Sequence, residues 1–435
     1  MSTDKTLNKA PHSNALLMLI TRLHFYIGLF IGPFILVAAL TGTLYILTPQ
    51  IEHALYKDAL TTDSTGPSRP LSSQIAAAKA SLNKDLTLFA VRPAPEQGDT
   101  TRVMFLDATT ASGARAVFID PATLAVKGDM AVYGTSGILP FRMTLDFLHR
   151  QLLLGEFGRN YSELAASWLW IVAFGGVFLW YKGGKKNQPN VASRTPYLTT
   201  RKNHSQLGLI LFIGLLFFSA TGLTWSKWAG GNISTLRQSL GWYTPSPNTN
   251  LVNIDASKNT DILFDQVLAT ARAAGIDANK IEIKPPRKAN KAWFVREIDR
   301  SWPTQVDSVA IDPSDMKVVS RADFATFPIV AKLIRWGVDF HMGVLFGVVN
   351  QILLVFFGLG LCTMVVWGYL MWWRRRPAPG AASKPLLEAW QKLSITTKSV
   401  TLAIAIILGV SLPAMGVSLL CFLVIDCIRW KKAVH

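Results

Sequence analysis

The sequence predicts a membrane α-helical bundle built as a tandem duplication, carrying two exported α+β insertions. Three observations point there. Half of the 435 residues are hydrophobic and the mean hydropathy is +0.28, and the apolar residues gather in runs of about 20 or more, the length that crosses a bilayer. One such run occurs twice: His24 is followed by Gly28 at +4 and by Thr41-Gly42 at +17 and +18, and His204 by Gly208, Thr221 and Gly222 at the same offsets. Finally, long stretches with strand-like alternation separate runs that are otherwise joined by short, strongly basic loops.

The repeated offsets have a helical meaning. At 3.6 residues per turn, +4 lies beside the start and +18 lies about five turns on, on the same face. Each helix therefore carries a His and two glycines in one line. At about 1.5 Å per residue the far glycine is roughly 27 Å away, close to the thickness of a bilayer core.

Charge sets the orientation. Lys182, Lys185, Lys186, Arg194, Arg201 and Lys202 occupy one loop without an acidic residue, and Arg374, Arg375, Arg376, Lys384, Lys392 and Lys398 occupy another with only Glu388. Such loops stay cytoplasmic, which puts the two long insertions in the periplasm. The net charge of +17 is then mainly topological, and no nucleic-acid partner is expected. The three cysteines, Cys362, Cys421 and Cys427, sit in apolar runs without a CxxC, so they read as packing residues.

Taken in order, residues 1–47 are a cytoplasmic N-terminus and first membrane helix, preceded by Lys5, Lys9 and Arg22 and kinked at Pro33. The run is too long for the core of a signal peptide and is read as retained. Residues 48–143 form the first insertion: a polar linker, a helix over 72–81, and alternating strand segments around LTLFAVRP, TRVMFLD and ARAVFIDPATLAVKGD. Residues 144–182 return to the membrane and 183–203 are the basic loop. Residues 204–225 are the third span and 226–332 the second insertion, with a helix in FDQVLATARAAGI and strands in KIEIKP, KAWFVREID, QVDSVAIDP and MKVVSRAD. Residues 333–373 are the fourth span and 374–399 the second basic loop. The apolar stretch 400–428 is interrupted by Pro413 and followed by Arg429, Lys431 and Lys432. A hairpin there keeps the charges of tail 429–435 inside.

The return segments are paired as well. His149 is followed by Gly155, Gly176, Trp180 and Tyr181 at +6, +27, +31 and +32, and His341 by Gly347, Gly368, Trp372 and Trp373 at the same offsets. Upstream, Arg142 and Asp146 correspond to Arg335 and Asp339, but Asp-to-His is three residues in one copy and two in the other. On a helix that slip turns the His by about 100° relative to its Asp, so an Asp-to-His contact cannot be equivalent in both.

Of seven histidines, His12 and His435 are terminal and His53 lies just past the first helix; these read as solvated or interfacial. His24, His204, His149 and His341 hold repeat-equivalent places near the four spans. Zinc is disfavoured, because no HExxH is present and no carboxylate stands at ligand spacing. Haem suits the pattern better: iron takes axial imidazoles, the flat ring suits a bundle interior, and Gly28 and Gly208 let it lie against backbone. Repeat pairing assigns one haem to His24 and His204 and another to His149 and His341. Gly42 and Gly222 make room for the second, and Arg22, Arg201 and Lys202 on one side and Arg150 and Arg335 on the other await propionates.

These features together resemble the PepSY-associated transmembrane family: HxxxG followed by TGxxY or TGxxW, insertions containing Ile119-Asp120-Pro121 and Ile311-Asp312-Pro313, the His-to-Gly return segments, and the Trp372-Trp373-Arg374-Arg375-Arg376 close. The resemblance covers residues 22–376, and the hydrophobic tail fits it. It implies PepSY-like insertions, bound haem b, of which repeat pairing gives two, and an oxidoreductase of the bacterial inner membrane that reduces the iron of a periplasmic ferric siderophore for uptake. The donor is left open between a quinol and a cytosolic reductant. No GxGxxG opens a nucleotide domain of the chain's own. Trp225, Trp228, Trp242, Trp293, Trp302 and Trp336 are candidate walls for the acceptor. Two other readings compete, a b-type cytochrome joining quinone to another periplasmic partner, and a non-enzymatic PepSY binding protein whose membrane part is an anchor.

Overall fold

The structure, a computed structural model, describes residues 13–134, 136–184, 195–251, 260–288, 290–376 and 385–434. Lys5, Lys9, His12, Lys185, Lys186, Arg194, Lys384 and His435 lie outside them.

The first apolar run forms α1 (Ser13–Phe30) and α2 (Gly32–Ile46), bent by 54°. Pro33, second in α2, has no N–H to donate back, which accounts for a break at this point. Then come α3 (Thr48–Leu55), α4 (Lys57–Leu60), α5 (Leu71–Ser81), β1 (Leu88–Arg92), β2 (Thr101–Leu106), β3 (Ala114–Ile119) and β4 (Val126–Ala131). The chain returns through α6 (Pro140–Gln151) and α7 (Gly155–Gly184). The second half repeats this order with α8 (Pro196–Thr224), α9 (Ala229–Ser239), α10 (Thr260–Ala273), β5 (Ile281–Lys284), β6 (Trp293–Glu297), β7 (Ser308–Ile311), β8 (Val318–Ala322), α11 (Ile329–His341) and α12 (Gly347–Arg374). It closes with α13 (Leu386–Gln391), α14 (Ile395–Ser411) and α15 (Pro413–Val434).

Several boundaries differ from the sequence reading. The return segments expected at 144–182 and 333–373 are each two helices, an amphipathic one ending near its His and a long apolar one. The +6 glycines explain the break: Gly155 and Gly347 start the long helices at φ +58° and +56°, a backbone region that glycine enters without a Cβ clash. His149 and His341 thus stand ahead of the spans rather than within them. The third span starts at Pro196, not at 204, and α13 folds a piece of the expected loop 374–399. The C-terminal stretch does break at Pro413, and α14 and α15 pack on each other, with Gly409 and Gly416 in close backbone contact. Among the described residues four helices, Gly155–Gly183, Pro196–Thr224, Gly347–Arg374 and Pro413–Lys431, are long and apolar enough to cross a membrane, and the bent α1/α2 pair makes a fifth if counted as one broken span.

Two compact units divide the chain: Met1–Thr43, Phe147–Ser239 and Leu354–His435 form a helical unit, and Leu44–Asp146 and Leu240–Leu353 a unit built on a sheet. The two insertions do not form separate sheets, as the sequence reading had them. They share one antiparallel sheet of eight strands in the order β4-β3-β2-β1-β5-β6-β7-β8. The join is β1 against β5, with Val91 opposite Ile283. Each is the first strand of its repeat and would otherwise be an open edge, so pairing them removes both edges at once.

Strand alternation sorts the residues of the sheet onto its faces. Val91, Val103, Phe105, Val117, Ile119, Ile281, Ile283, Trp293, Val295, Val309 and Ile311 form one core with Ile75 and Ala78 of α5 and Phe264, Val267 and Ala271 of α10. The other parity, Ala90, Met104, Ala116 and Phe118, packs with Ala59, Val132 and Leu139. Asp265 of α10 accepts from the Leu71 and Ser72 backbone N–H groups at 2.6 and 3.2 Å, capping α5 and tying the two cover helices together. Trp293 is fully buried edge-on to Phe264, with ring centroids 4.7 Å apart. Trp293→Ala is expected to destabilise the sheet unit by about 3–5 kcal/mol, read as a lower denaturant midpoint of its unfolding.

In the helical unit, α7 and α8 lie along each other. The buried positions of α8, Leu211, Leu215, Ser219 and Leu223, recur every four residues, a single ridge on one face. Ser219 Oγ donates to the Ala166 carbonyl at 2.7 Å, and a Cβ on Gly222 would stand 3.1 Å from the Ala166 methyl. From the same ridge Leu211 reaches α12, where a Cβ on Gly360 would stand 3.1 Å from its methyl. Ile210 and Ile213 are exposed, as expected of a helix whose outer face meets lipid.

Candidate functional site

His24 projects from the middle of α1 and His204 from the first third of α8. Both belong to the helical unit and are near enough for their charges to interact. Each imidazole rests against a glycine of a return span. A Cβ on Gly176 of α7 would lie 3.3 Å from His24 Cε1, and one on Gly175 would lie 3.5 Å from His24 Nδ1. A Cβ on Gly368 of α12 would lie 3.9 Å from His204 Cε1. Sequence spacing marks Gly176 and Gly368 only as mates in a repeat; in the folded chain each is the seat of a histidine ring. Gly176→Val is expected to push the His24 ring out of place and destabilise the helical unit by about 1–3 kcal/mol, seen as a lower thermal midpoint in detergent.

The ring nitrogens differ. His204 Nδ1 is 3.0 Å from the Met364 carbonyl of α12. A carbonyl only accepts, so Nδ1 carries the proton and Nε2 keeps its lone pair, the state in which an imidazole binds a metal. Among the described residues His24 Nδ1 is buried and meets no hydrogen-bond partner, although the Val172 carbonyl is near the ring. A buried, unpartnered imidazole nitrogen is unfavourable unless something takes its lone pair or its proton. Gly28 faces open space, whereas Gly208 has Met364 Sδ 3.4 Å from where its Cβ would be. Two imidazoles, a bare backbone face at Gly28 and an unsatisfied nitrogen fit the demands of an axially ligated haem. Met364 is invisible to motif reasoning because it acts through its backbone.

His149 is placed differently. It lies in the last turn of α6, in the helical unit, its Nδ1 3.2 Å from Thr41 Oγ1, and its ring fills the space over Gly42, where a Cβ would be 3.1 Å from Cε1. The Tyr161 hydroxyl donates to the His149 carbonyl. Gly42 thus gives its space to an imidazole and Gly222 gives its own to Ala166, where the sequence reading reserved both for a haem. The two members of the Thr-Gly pair have diverged in what they accommodate. His341 ends α11 in the sheet unit.

Two of the arginines expected at propionates, Arg22 and Arg335, are engaged with carboxylates. Arg22 donates to Glu388 at 2.7 Å and to the Pro385 carbonyl. Arg201 lies 3.4 Å from the Cβ position of Gly183. Arg150 follows His149, and its carbonyl accepts from Ser162 Oγ at 2.8 Å. Arg335 donates to the fully buried Asp339 at 3.0 Å, and Arg300 also donates to Asp339. Burial pushes the Asp339 carboxyl up, while the two guanidiniums pull it back toward the ionised form. Asp339 is therefore taken up by arginines.

Among the candidate aromatic walls, Trp293 belongs to the core. Trp302 and Trp336 come together in the sheet unit with ring centroids 5.6 Å apart, beside Phe346 at 5.9 Å from Trp302. Trp225 and Trp228 are half-exposed at the end of α8, and Trp242 is exposed. Among the described residues no three His, Cys, Asp or Glu side chains converge as a metal cage.

Apolar helices of spanning length point to a multi-pass membrane protein, and the same chain carries a sheet-bearing unit. The chain matches the PepSY-associated TM region over residues 21–375 and belongs to that family. No curated protein matches it.

Proposed function

We propose that this protein is a haem-carrying oxidoreductase of the bacterial inner membrane that delivers electrons to a periplasmic ferric siderophore, releasing iron(II) for uptake. One observation carries the reading: His24 and His204, on repeat-equivalent helices, present imidazoles seated on glycines, one with an unpartnered buried nitrogen and one with Nε2 left as its lone pair. Haem b held there would supply one-electron chemistry. The chain's own part is to hold and orient it: His24 and His204 as ligands, Gly176 and Gly368 behind the rings, and the Met364 carbonyl fixing the His204 tautomer. A second haem on His149 and His341 is supported by the sequence repeat. The basic loops support an inside location for the His24 and His204 end.

The reduction consumes one electron per iron(III), supplied by a quinol or a cytosolic reductant. Purified protein reduced with dithionite under argon is expected to be reoxidised when a ferric hydroxamate or catecholate siderophore is added, with iron(II) trapped by ferrozine. Haem that stays reduced with every siderophore class, yet reoxidises with a quinone, would instead support the quinone-linked cytochrome.

A further inference from the structure

The opposite face of α1 carries a second network. Arg22 and Tyr26 each lie two residues from His24, roughly 200° around the helix, so they point away from the bundle side on which His24 meets α7. Tyr26 is buried and its hydroxyl donates to Asp426 Oδ1 at 2.9 Å. Asp426, 1% exposed in the apolar helix α15, also accepts from the backbone N–H groups of Leu386 and Leu387, both at 2.8 Å. Arg429, one turn further along α15, donates to the same Tyr26 hydroxyl at 3.1 Å. Arg22 closes the ring of contacts through Glu388 of α13 at 2.7 Å. An acidic residue in an apolar span is unfavourable unless it is fully bonded, and one that is so bonded marks a site with a task.

The same helix α15 holds the wall opposite His24. Trp168 Nε1 of α7 donates to Ser418 Oγ at 2.8 Å, and Phe422 packs on Trp168 and Phe30 with centroids 5.6 and 5.7 Å away. Helix α7 carries Gly175 and Gly176, the seat of the His24 ring. Helix α15 thus grips α1 from behind and α7 from the side, and it lies beyond residue 375, where the family match ends.

We propose that Asp426, with Tyr26 and Arg429, is a positioning network that fixes the rotation of α1 about its axis and so aims the His24 imidazole at the haem. It rests on the reading of His24 as a haem ligand. Rotation is the free variable at this point, because the 54° bend at Pro33 uncouples α1 from the helix that continues it.

The test uses the full chain in detergent with Tyr26→Phe, Asp426→Asn and, as a control, Ser418→Ala, which loosens α15 from α7 but not from α1. Two readouts are taken: haem loss to an excess of a haem-scavenging apoprotein, and the low-spin EPR gmax, which follows the angle between the two axial imidazole planes. Asp426→Asn is expected to release the haem about ten- to a hundredfold faster and to move gmax. Tyr26→Phe, which removes one hydroxyl and keeps the packing, should move gmax in the same direction, and Ser418→Ala should leave it in place. Should Asp426→Asn fail to fold, Tyr26→Phe decides. Wild-type gmax and haem release in folded Tyr26→Phe and Asp426→Asn, alongside loss of that haem in His24→Ala, would overturn the positioning role and leave the haem reading standing. Unchanged spectra in His24→Ala itself would overturn both.

Discussion

His204→Ala is expected to lower the haem content by one per chain and to abolish electron entry from the basic-loop side. His204 Nδ1 is committed to the Met364 carbonyl 3.0 Å away, and its ring is backed by Gly368, so alanine there removes both the ligand and its fixed orientation. His24→Ala should give the same loss, while His53→Ala, on a residue exposed in α3, should leave the haem content untouched. Counting haem by the pyridine haemochrome against protein mass checks all three. His149→Ala makes a sharper contrast. If His149 holds a second haem, its loss should spare the low-spin signal of the first. If His149 only packs on Thr41 and Gly42, haem content should not change and only stability should fall.

The second large effect lies at the seam of the sheet. Glu282 of β5 is 2% exposed and bonded to Arg92 of β1 at 2.6 Å and to Arg296 of β6 at 2.6 Å, with Lys284 at 3.3 Å. At the sheet seam this ion pair joins the first repeat to the second. Removing one partner strands a buried charge, so Arg92→Ala is expected to destabilise the sheet unit by about 3–5 kcal/mol. The pH dependence has a definite sign. Burial alone would raise the Glu282 carboxyl, but Arg92, Arg296 and Lys284 outweigh it and hold it at about 2 against an ordinary 4.5. A depressed carboxyl binds its proton less tightly folded than unfolded. The stability it contributes, on the order of 3 kcal/mol, is therefore full above pH 4.5 and lost as the pH falls toward 2. Acid unfolding followed by far-UV circular dichroism should show this loss in the wild type and a flatter profile in Glu282→Gln.

Much of this architecture was legible in the sequence because it depends on periodicity. Alternation marked the strand segments of both insertions, and the paired offsets from His24 and His204 marked two helices built alike. The histidine seats were half legible: the +27 glycines stand out as a repeat, but only folding brings Gly176 of one return span under His24 and Gly368 of the other under His204. The fused sheet was not legible, because an open strand edge carries no sequence signal that names its partner; β1 and β5 meet through backbone groups common to every residue. The break before each return span was also hidden, since a hydrophobic run reads the same whether it is one helix or two, and only the positive φ of Gly155 and Gly347 reveals the turn. Asp426 did carry a signal, a lone acid in an apolar run, but its partners Tyr26 and Leu386 are 400 and 40 residues away.

The most direct test of the central claim is a reduced-minus-oxidised absorption spectrum of the purified, detergent-solubilised protein, made with ample haem supply, with haem counted per chain. The expected result is a six-coordinate b-type spectrum with at least one haem per chain, diminished in His24→Ala. A protein that folds, carries no haem and shows no redox-active absorption would contradict it, and would leave the sheet unit as a binding module on a membrane anchor.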